Sequence, residues 1–295
     1  MRSRLGPFSF LVLGAASASA QDAAPKPPGP DILKMRIVYA VDGMDRAVRQ
    51  QLQYQAPDGV SLPMDVYAPP GLKAGEKRPA IVFIHGGPVP PAAEPTEWGG
   101  YRSYGELAAA SGLVGVTFKH RLNALSDYGR AAGDATALIE RVRTDKTLPV
   151  DPDRLVLWAF SGGGPFVSLG LQGKTPYVRG LVSYYGILDL RSAPDDPSKV
   201  PEPAASALSP VAFLGSSRGP FPPVLIARPS KDSPRINESV DAFLKASVQA
   251  GIAVDLLTIP DGQHAFDLLD DTPRSREVIR RTIAFVKDHL ETVPR

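Results

Sequence analysis

Ser161 is the residue whose surroundings most strongly suggest chemistry, because it stands between an apolar run and three glycines. Residues 155–158 are rich in β-formers and predict a buried strand, and residues 166–171 predict the start of a helix. A serine between a strand and a helix lies on a sharp turn that exposes its Oγ. The neighbours of that turn must be small because strand and helix almost collide there, and Gly162 and Gly163 meet this demand. The pattern therefore predicts a serine nucleophile.

Ala159 occupies the position of the first glycine in the nucleophile-elbow pattern G-x-S-x-G. Alanine adds a single methyl group, so the departure is mild. The alternative interpretation is a glycine-rich turn between a strand and a helix that contains an incidental serine. Residues elsewhere in the chain must decide between the two.

A serine nucleophile needs a base within hydrogen-bond reach and an acid that orients the base. In a parallel α/β sheet these groups lie in loops at the carboxyl ends of strands. His264 follows the predicted strand 252–259 within the turn-forming segment P-D-G-Q-H-A-F-D, which predicts the base. Asp232 follows the predicted strand 224–228 and is the preferred acid. Its rival is Asp189, which also closes a strand but comes one strand earlier.

The segment H-G-G-P, which starts at His85, follows another apolar run. Bare glycines let backbone N–H groups approach a substrate oxygen, and acyl transfer needs such donors for the oxyanion. Because Pro88 has no N–H, the predicted donors are Gly86 or Gly87 together with Gly162, the residue after the serine. We expect His85 to anchor this loop rather than to transfer protons.

The elements that must position these side chains alternate between strand and helix from residue 80 onward. Continuous apolar runs predict strands buried on both faces, and a helical apolar stripe runs through residues 129–143. The alternation predicts a doubly wound α/β fold with a mainly parallel sheet and helices on both faces. Two earlier strands, residues 48–54 and 62–67, precede it. Residues 149–152 are expected to interrupt the chain before the strand that carries the serine.

Residues 189–223 contain many prolines and little periodicity between two predicted core strands. Loops of this length inside a domain are usually functional or disordered. We predict a short Pro-rich lid over the active site, and the alternative is an exposed excursion. Trp98, Tyr101, Tyr184 and Tyr185 lie near the ends of core elements and are candidates for the walls of an apolar substrate pocket. Burial in the core is the alternative for each.

The N-terminus is typical of a secretory leader. A basic start and a short apolar segment precede the small-residue pattern A-S-A, which predicts a signal peptide over residues 1–20, cleaved between Ala20 and Gln21. Residues 21–47 are predicted to form an N-terminal tether that is Pro-rich and loose over residues 21–33, and residues 48–295 the folded domain. The leader holds two of the 33 basic residues and none of the 31 acidic ones, so the mature chain is expected to be formally neutral.

This charge balance argues against a nucleic-acid or anionic-membrane partner, since both bind basic patches. The sequence contains no cysteine, which excludes disulfides and thiolate metal sites. An exported protein without disulfides favours a bacterial periplasm or the medium. No stretch approaches the roughly 18 apolar residues that span a bilayer, so no integral membrane segment is expected in the mature chain.

Six short motifs follow one another across residues 48–290: H-G-G-P, K-H-R-L, V-D-P-D-R, A-F-S-G-G, A-L-S-P and D-G-Q-H-A-F. In this order they resemble the α/β-hydrolases, closest to the esterase and prolyl-oligopeptidase-like lineages with the H-G-G motif. The resemblance implies the α/β-hydrolase fold and the triad Ser161, Asp232 and His264, with no cofactor and no metal. Two departures are Ala159 and the segment A-R-P-S-K-D, which replaces the commoner ending H-G-x-x-D.

We therefore expect an exported serine hydrolase that cleaves a small-molecule carboxylic ester through an acyl-enzyme on Ser161. One alternative is an oligopeptidase-like serine peptidase, although such enzymes usually carry an N-terminal propeller for which residues 21–47 leave no room. The other alternative is a non-catalytic α/β-hydrolase-like binding protein, which usually lacks a triad residue. The reactivity of Ser161 distinguishes the last possibility from the first two. Nothing in the sequence indicates the oligomeric state.

Overall fold

The computed structural model describes residues 31–173, 175–191, 200–214 and 221–291. The predicted leader, residues 1–20, and the first part of the predicted tether lie outside these ranges. The described residues belong to one unit, Asp31–Arg295. None of their helices is both long enough and apolar enough to cross a membrane.

The strands are β1 (Val48–Gln55), β2 (Ser61–Ala68), β3 (Arg78–Ile84), β4 (Val114–Phe118), β5 (Val150–Phe160), β6 (Val178–Tyr184), β7 (Val224–Pro229) and β8 (Val254–Ile259). In the described part of the chain they form one sheet in the order β1-β2-β4-β3-β5-β6-β7-β8. Strand β2 runs antiparallel to both β1 and β4, and every other neighbouring pair is parallel. The predicted mainly parallel, doubly wound sheet is confirmed.

The α-helices are α1 (Gly99–Ala110), α2 (Tyr128–Thr144), α3 (Ser168–Leu171), α4 (Ala204–Ala207), α5 (Pro210–Phe213), α6 (Pro234–Gln249), α7 (Phe266–Leu269) and α8 (Pro273–Glu291). Short 3-10 segments cover Ile32–Lys34, Met44–Arg46, Pro95–Glu97, Leu125–Asp127 and Ser161–Val167. Helices α2 and α6 contribute to the apolar cluster on one face of the sheet, and α1 and α8 contribute to the cluster on the other.

Strand β5 shows why both faces of the sheet are buried. Successive side chains along a strand point to opposite faces. Leu155 and Leu157 therefore join the cluster on the α2 and α6 side, whereas Val156 and Trp158 join the cluster on the α1 and α8 side. All four side chains are fully buried. The continuous apolar runs of the sequence are the consequence of this two-sided burial.

The start of β5 differs from the prediction that residues 149–152 interrupt the chain before the strand. The strand begins at Val150 and pairs with Arg78, and the register shifts before Leu155 pairs with Ala80. A local irregularity of this kind absorbs extra residues without ending the strand. It also accommodates Pro152, which has no N–H to donate to a neighbouring strand.

The described part of the predicted tether, residues 31–47, packs on the domain, which corrects the predicted boundary at residue 48. Ile37 and Met44 are buried in the cluster on the α1 and α8 side. The Ile37 N–H donates to Ser103 Oγ of α1 at 3.1 Å, and the Val38 N–H donates to the Asp267 carbonyl at 2.8 Å. Apolar side chains and hydrogen bonds thus fix this segment, which contains no proline, whereas the prolines of the predicted tether all lie within residues 25–30.

The predicted lid, residues 189–223, is described only in part, because residues 192–199 and 215–220 lie outside the described ranges. Within it, helices α4 and α5 are one turn each. Val200, Leu208 and Leu214 are buried in the cluster on the α2 and α6 side. The described residues of this segment therefore contribute to the core.

Candidate active site

Ser161 lies directly after the last residue of β5, in a backbone conformation that non-glycine residues rarely adopt. Its φ is 51°, in the left-handed region. Such a conformation costs of order 1–3 kcal/mol and persists only where the surrounding structure enforces it. Here the enforcement comes from close packing. A Cβ at Gly162 would stand 2.0 Å from the Gly87 carbonyl oxygen, and one at Gly163 would stand 2.5 Å from that of His85.

The chain after Ser161 differs in detail from the predicted helix over residues 166–171. A 3-10 segment runs from Ser161 to Val167, and the α-helical turn α3 follows only at Ser168. Three glycines disfavour an α-helix because of their conformational freedom, and Pro165 lacks the N–H that an α-helix interior requires. The sharp strand-to-helix turn is nevertheless present, with the serine at its apex.

Ser161, His264 and Asp232 form a continuous chain of hydrogen bonds. His264 Nε2 lies 2.9 Å from Ser161 Oγ, and His264 Nδ1 lies 2.8 Å from Asp232 Oδ2. An ionised carboxylate only accepts hydrogen bonds, so Nδ1 carries the imidazole hydrogen and Nε2 is left to accept from the serine hydroxyl. This is the protonation pattern that a neutral imidazole needs in order to act as a base towards Ser161.

Each of these side chains follows the carboxyl end of a parallel strand: Ser161 follows β5, Asp232 follows β7 and His264 follows β8. The Asp232 side chain is 2% exposed, and its Oδ1 accepts the Ser233 N–H at 2.6 Å. The His264 side chain is 40% exposed, so a small molecule can reach its imidazole. The structure brings together the three residues that the sequence analysis selected.

Asp189, the rival acid, has a different partner. Its Oδ1 accepts hydrogen bonds from the Arg191 N–H at 3.0 Å and from Arg191 Nε at 3.2 Å. The carboxylate that faces the His264 imidazole is that of Asp232. The geometry therefore favours Asp232 over Asp189 as the residue that orients His264.

The loop after β3 lies on a pair of buried, stacked histidines. The ring centroids of His85 and His120 are 3.6 Å apart and their planes are inclined by 6°. The His120 N–H donates to His85 Nε2 at 3.2 Å, so the His85 hydrogen is on Nδ1, which donates to the Gly86 carbonyl at 2.6 Å. His120 Nε2 in turn lies 3.0 Å from the His85 carbonyl. His85 thus anchors the loop, as predicted.

Burial keeps both of these histidines neutral. Burial lowers the pKa of His85 well below its usual value of 6.5, and the adjacent His120 lowers it further. Burial also lowers the pKa of His120, to about 4. The only hydrogen-bond partners that the described residues give to these two rings are backbone groups.

The three glycines predicted as oxyanion donors lie against the serine and against each other. A Cβ at Gly86 would stand 2.9 Å from Ser161 Cβ, and one at Gly162 would collide with Gly87. Larger residues could not occupy these positions without moving the backbone. The placement is compatible with the predicted donors, whose role stays a prediction.

A mostly apolar cavity of about 210 Å³ opens at Ser161 and His264. Trp98, Tyr101 and Tyr185 line it, as the sequence analysis proposed. Tyr184 does not line the cavity. It is buried in the core, which was the alternative, and its hydroxyl lies 2.7 Å from Thr282 Oγ1. No described residue of the predicted lid lines this cavity.

Several residues of the cavity wall were missed by sequence reasoning. They are Ile32, Leu33, Gly100, Tyr104, Phe160, Ala265, Asp267 and Leu268. Phe160 could have been found, since it directly precedes the serine. Leu33 could not, because it falls in the segment assigned to a loose tether. The only sequence feature that marks Asp267 is its place as the second acidic residue of the segment P-D-G-Q-H-A-F-D.

Other parts of the surface offer less for chemistry. A larger depression, of about 620 Å³, is lined by residues such as Ile252 and Phe285 and contains none of the three hydrogen-bonded side chains. Among the described residues, no group of three or more His, Asp or Glu side chains is placed to hold a metal ion. The cavity at Ser161, by contrast, is lined by two of the three hydrogen-bonded side chains, Ser161 and His264.

The sheet order, the elbow and the positions of the three side chains define the fold of the α/β-hydrolases. The chain is similar in structure to Thermogutta terrifontis esterase 2 with propionate bound, at 22% identity and a TM-score of 0.69, over 85% of this chain and 97% of that one. It is similar to the apo form of the same esterase at 21% identity and a TM-score of 0.67, over 83% and 96% of the two chains.

A dipeptidyl aminopeptidase IV-like protein from Bacteroides ovatus is also similar in structure, at 18% identity and a TM-score of 0.68. The match covers 83% of this chain but only 36% of the Bacteroides chain. No protein-family model matches the sequence, and no curated protein matches it significantly. At these identities the similarity shows the fold, which confirms the predicted architecture.

Proposed function

We propose that this protein is a serine hydrolase that cleaves carboxylic esters with small acyl groups through an acyl-enzyme on Ser161. The observation that carries the proposal is the pair of distances at His264: 2.9 Å from Nε2 to Ser161 Oγ and 2.8 Å from Nδ1 to Asp232 Oδ2. Export through the predicted leader is part of the proposal and rests on the sequence alone.

In the first half of the reaction, His264 Nε2 takes the hydroxyl proton as Ser161 Oγ attacks the ester carbonyl carbon. The carbonyl oxygen becomes an oxyanion, which backbone N–H groups of Gly162 and of Gly86 or Gly87 would stabilise. Asp232 stabilises the imidazolium that forms. The intermediate collapses when the C–O bond to the alcohol breaks and His264 returns its proton to the departing oxygen.

In the second half, water attacks the acyl carbon of the ester on Ser161. His264 removes a proton from that water, and the second tetrahedral intermediate breaks at the bond to Oγ. The acid leaves and Ser161 regains its proton from the imidazole. The 40% exposure of the His264 side chain gives water a route to the base.

The cavity supports a small acyl group. Its volume of about 210 Å³ lies below the roughly 300–1,000 Å³ typical of drug-sized ligand pockets, and most of its walls are aromatic or aliphatic. The structurally similar esterase has been solved with propionate bound and phosphorylated by paraoxon. A short apolar acyl chain would gain about 0.8 kcal/mol for each CH₂ that it buries, and a chain longer than the cavity would gain no more.

The test is hydrolysis of p-nitrophenyl acetate, butyrate and octanoate by the purified mature protein, with a dipeptide p-nitroanilide alongside. We expect the short esters to give the highest kcat/KM, and we expect Ser161→Ala to lower kcat by about 10⁶. Ser168→Ala is the matched control, because Ser168 is buried in the same turn region, its Oγ contacts no hydrogen-bond partner in the described residues, and it lies outside the cavity wall.

Preferential cleavage of the anilide would replace the esterase proposal with a peptidase. No turnover of any substrate, together with no reaction of Ser161 with paraoxon, would favour a binding protein. Ester turnover that persists in Ser161→Ala would contradict the assignment of the nucleophile.

A further inference from the structure

A second carboxylate lies beneath the site, and the mechanism above makes no use of it. Asp267 stands three residues after His264, in the first turn of α7, and is 1% exposed. Its Oδ1 accepts the Tyr185 hydroxyl hydrogen at 2.8 Å, and its Oδ2 accepts that of Tyr104 at 2.6 Å. Its carbonyl accepts the Val38 N–H at 2.8 Å. Because both of its oxygens accept hydrogen bonds and its side chain is buried, this carboxylate is held rigidly in place.

Tyr185 connects the Asp267 carboxylate to the base. Its ring centroid lies 4.6 Å from that of His264, with the planes inclined by 56°. Its backbone is held as well, because φ is 40° and its N–H donates to the Ala227 carbonyl at 3.0 Å. The phenol hydroxyl on Asp267 and the backbone on β7 therefore fix the tyrosine ring at both ends, and the imidazole packs against the ring between them.

His264 needs such support. Asp232 holds the imidazole at one atom, Nδ1, and 40% of the side chain faces solvent. The hydrogen bonds at Nδ1 and Nε2 fix the positions of the two nitrogens but still permit the ring to tilt about the line that joins them. A packed aromatic ring on one side restricts that tilt and keeps Nε2 directed at Ser161 Oγ. Misplacement of a catalytic group by about 1 Å can cost 10²-fold in rate.

We propose that Asp267 is a positioning residue: it clamps Tyr185 so that the tyrosine ring holds the His264 imidazole in line with Ser161. This inference rests on the proposed function, since it assigns a task within the same site. Asp267 acts through Tyr185 and has no direct part in bond making.

The charge of Asp267 adds a second effect. Burial raises the pKa of Asp267, while the hydrogen bonds from Tyr104 and Tyr185 and the neighbouring His264 act to lower it. The hydroxyl groups of Tyr104 and Tyr185 both donate to the carboxylate, and these hydrogen bonds favour its ionised form. A negative charge held close to the base favours the imidazolium that forms when Ser161 gives up its proton.

The experiment compares two adjacent tyrosines. Tyr185→Phe removes the hydroxyl that binds Asp267, and Tyr184→Phe removes a hydroxyl that binds Thr282 in α8 and lies outside the cavity wall. Both lose one buried hydrogen bond, so we expect both to lower Tm. Only Tyr185→Phe should lower kcat, by about 10- to 100-fold with little change in KM, and should slow the labelling of Ser161 by paraoxon to the same degree.

Asp267→Asn extends the comparison to the charge. We expect a kcat loss at least as large as that of Tyr185→Phe with little change in KM, because an amide oxygen can accept from only one of the two hydroxyl groups. A purely structural carboxylate would change Tm without changing kcat. If Asp267→Asn fails to fold, the comparison of Tyr185→Phe with Tyr184→Phe still tests the positioning role.

Equal kcat and equal labelling rates in Tyr184→Phe and Tyr185→Phe would overturn the positioning role and leave the proposed function intact. Failure of paraoxon to label Ser161 in the wild-type protein would instead contradict the proposed function, and the positioning role would fall with it. Slow labelling confined to Tyr185→Phe and Asp267→Asn supports both.

Discussion

Two histidine environments lie at the same edge of the sheet and differ in almost every property that sets the chemistry of an imidazole. His264 follows β8, is 40% exposed, and has a carboxylate on one nitrogen and a hydroxyl on the other. His85 and His120 follow β3 and β4 and are fully buried and stacked, and among the described residues their rings form hydrogen bonds to backbone groups alone.

The difference shows that the partners of a histidine, rather than its place after a strand, determine what it can do. An imidazole can accept a proton at neutral pH only where its cation is tolerated, and a buried ring without a carboxylate does not tolerate it. Burial accordingly lowers the pKa of His120 to about 4. The buried pair supports the glycine loop, and His264 is the histidine equipped for proton transfer.

The largest effect should come from His264→Ala. Without a base, Ser161 remains a neutral hydroxyl, so kcat for p-nitrophenyl butyrate should fall by about 10⁶, as it does when one member of a triad that works as a unit is removed. Steady-state kinetics with active-site titration measure this. Residual activity near one tenth of wild type would show that His264 is not the base, and its environment would then not differ in function from that of the buried pair.

Asp232→Asn should have the next largest effect. Asparagine can present its NH₂ group to Nδ1, which favours the wrong tautomer of His264, and kcat should fall by about 10⁴. Asp189→Asn is the matched control, because its carboxylate pairs with Arg191 rather than with the imidazole. A larger loss in Asp189→Asn than in Asp232→Asn would show that the acid is misassigned.

The smallest effect on catalysis, and a distinct effect on stability, should come from His120→Phe. The folded-state pKa values of His85 and His120 lie below the value of 6.5 expected in the unfolded chain, so the unfolded state binds protons first as the pH falls. The contribution to the free energy of unfolding is complete above about pH 6.5. Below it, the contribution declines by about 1.4 kcal/mol per pH unit for each histidine, until the folded-state pKa is reached.

Urea unfolding between pH 8 and pH 4 tests this. Phenylalanine keeps the stacked ring but cannot be protonated, so the decline for His120→Phe should be shallower than for the wild type below pH 6.5. At pH 8 the variant should be less stable by about 1–3 kcal/mol, because the His85 carbonyl loses its donor. An unchanged slope would contradict the buried neutral pair.

The sequence predicted the sheet and the three central side chains because local patterns carry that information. Apolar runs mark strands buried on both faces, and small residues around Ser161 mark a turn that only small residues can form. The close approach of Gly162 to Gly87 gives the physical reason. Asp232 and His264 followed from the rule that sites lie at the carboxyl ends of parallel strands.

The walls of the site could not be predicted in the same way, because they depend on contacts between residues far apart in sequence. Tyr104 and Asp267 are 163 positions apart and meet only in the folded chain. Ile37 and Met44 carry no periodic signal, so the segment that they anchor was assigned to the N-terminal tether. The residues that line and support the cavity are set by tertiary contacts, whereas strands and the turn at Ser161 are set by local sequence.

The assignment of Ser161 as the nucleophile and His264 as its base is tested most directly by the rate at which paraoxon labels Ser161, followed by intact-protein mass spectrometry and peptide mapping. We expect one adduct on Ser161 in the wild type and in His120→Phe. We expect no adduct in Ser161→Ala and a strongly reduced rate in His264→Ala. Absence of labelling in the wild type, or labelling of His264→Ala at the wild-type rate, would show that the assignment is wrong.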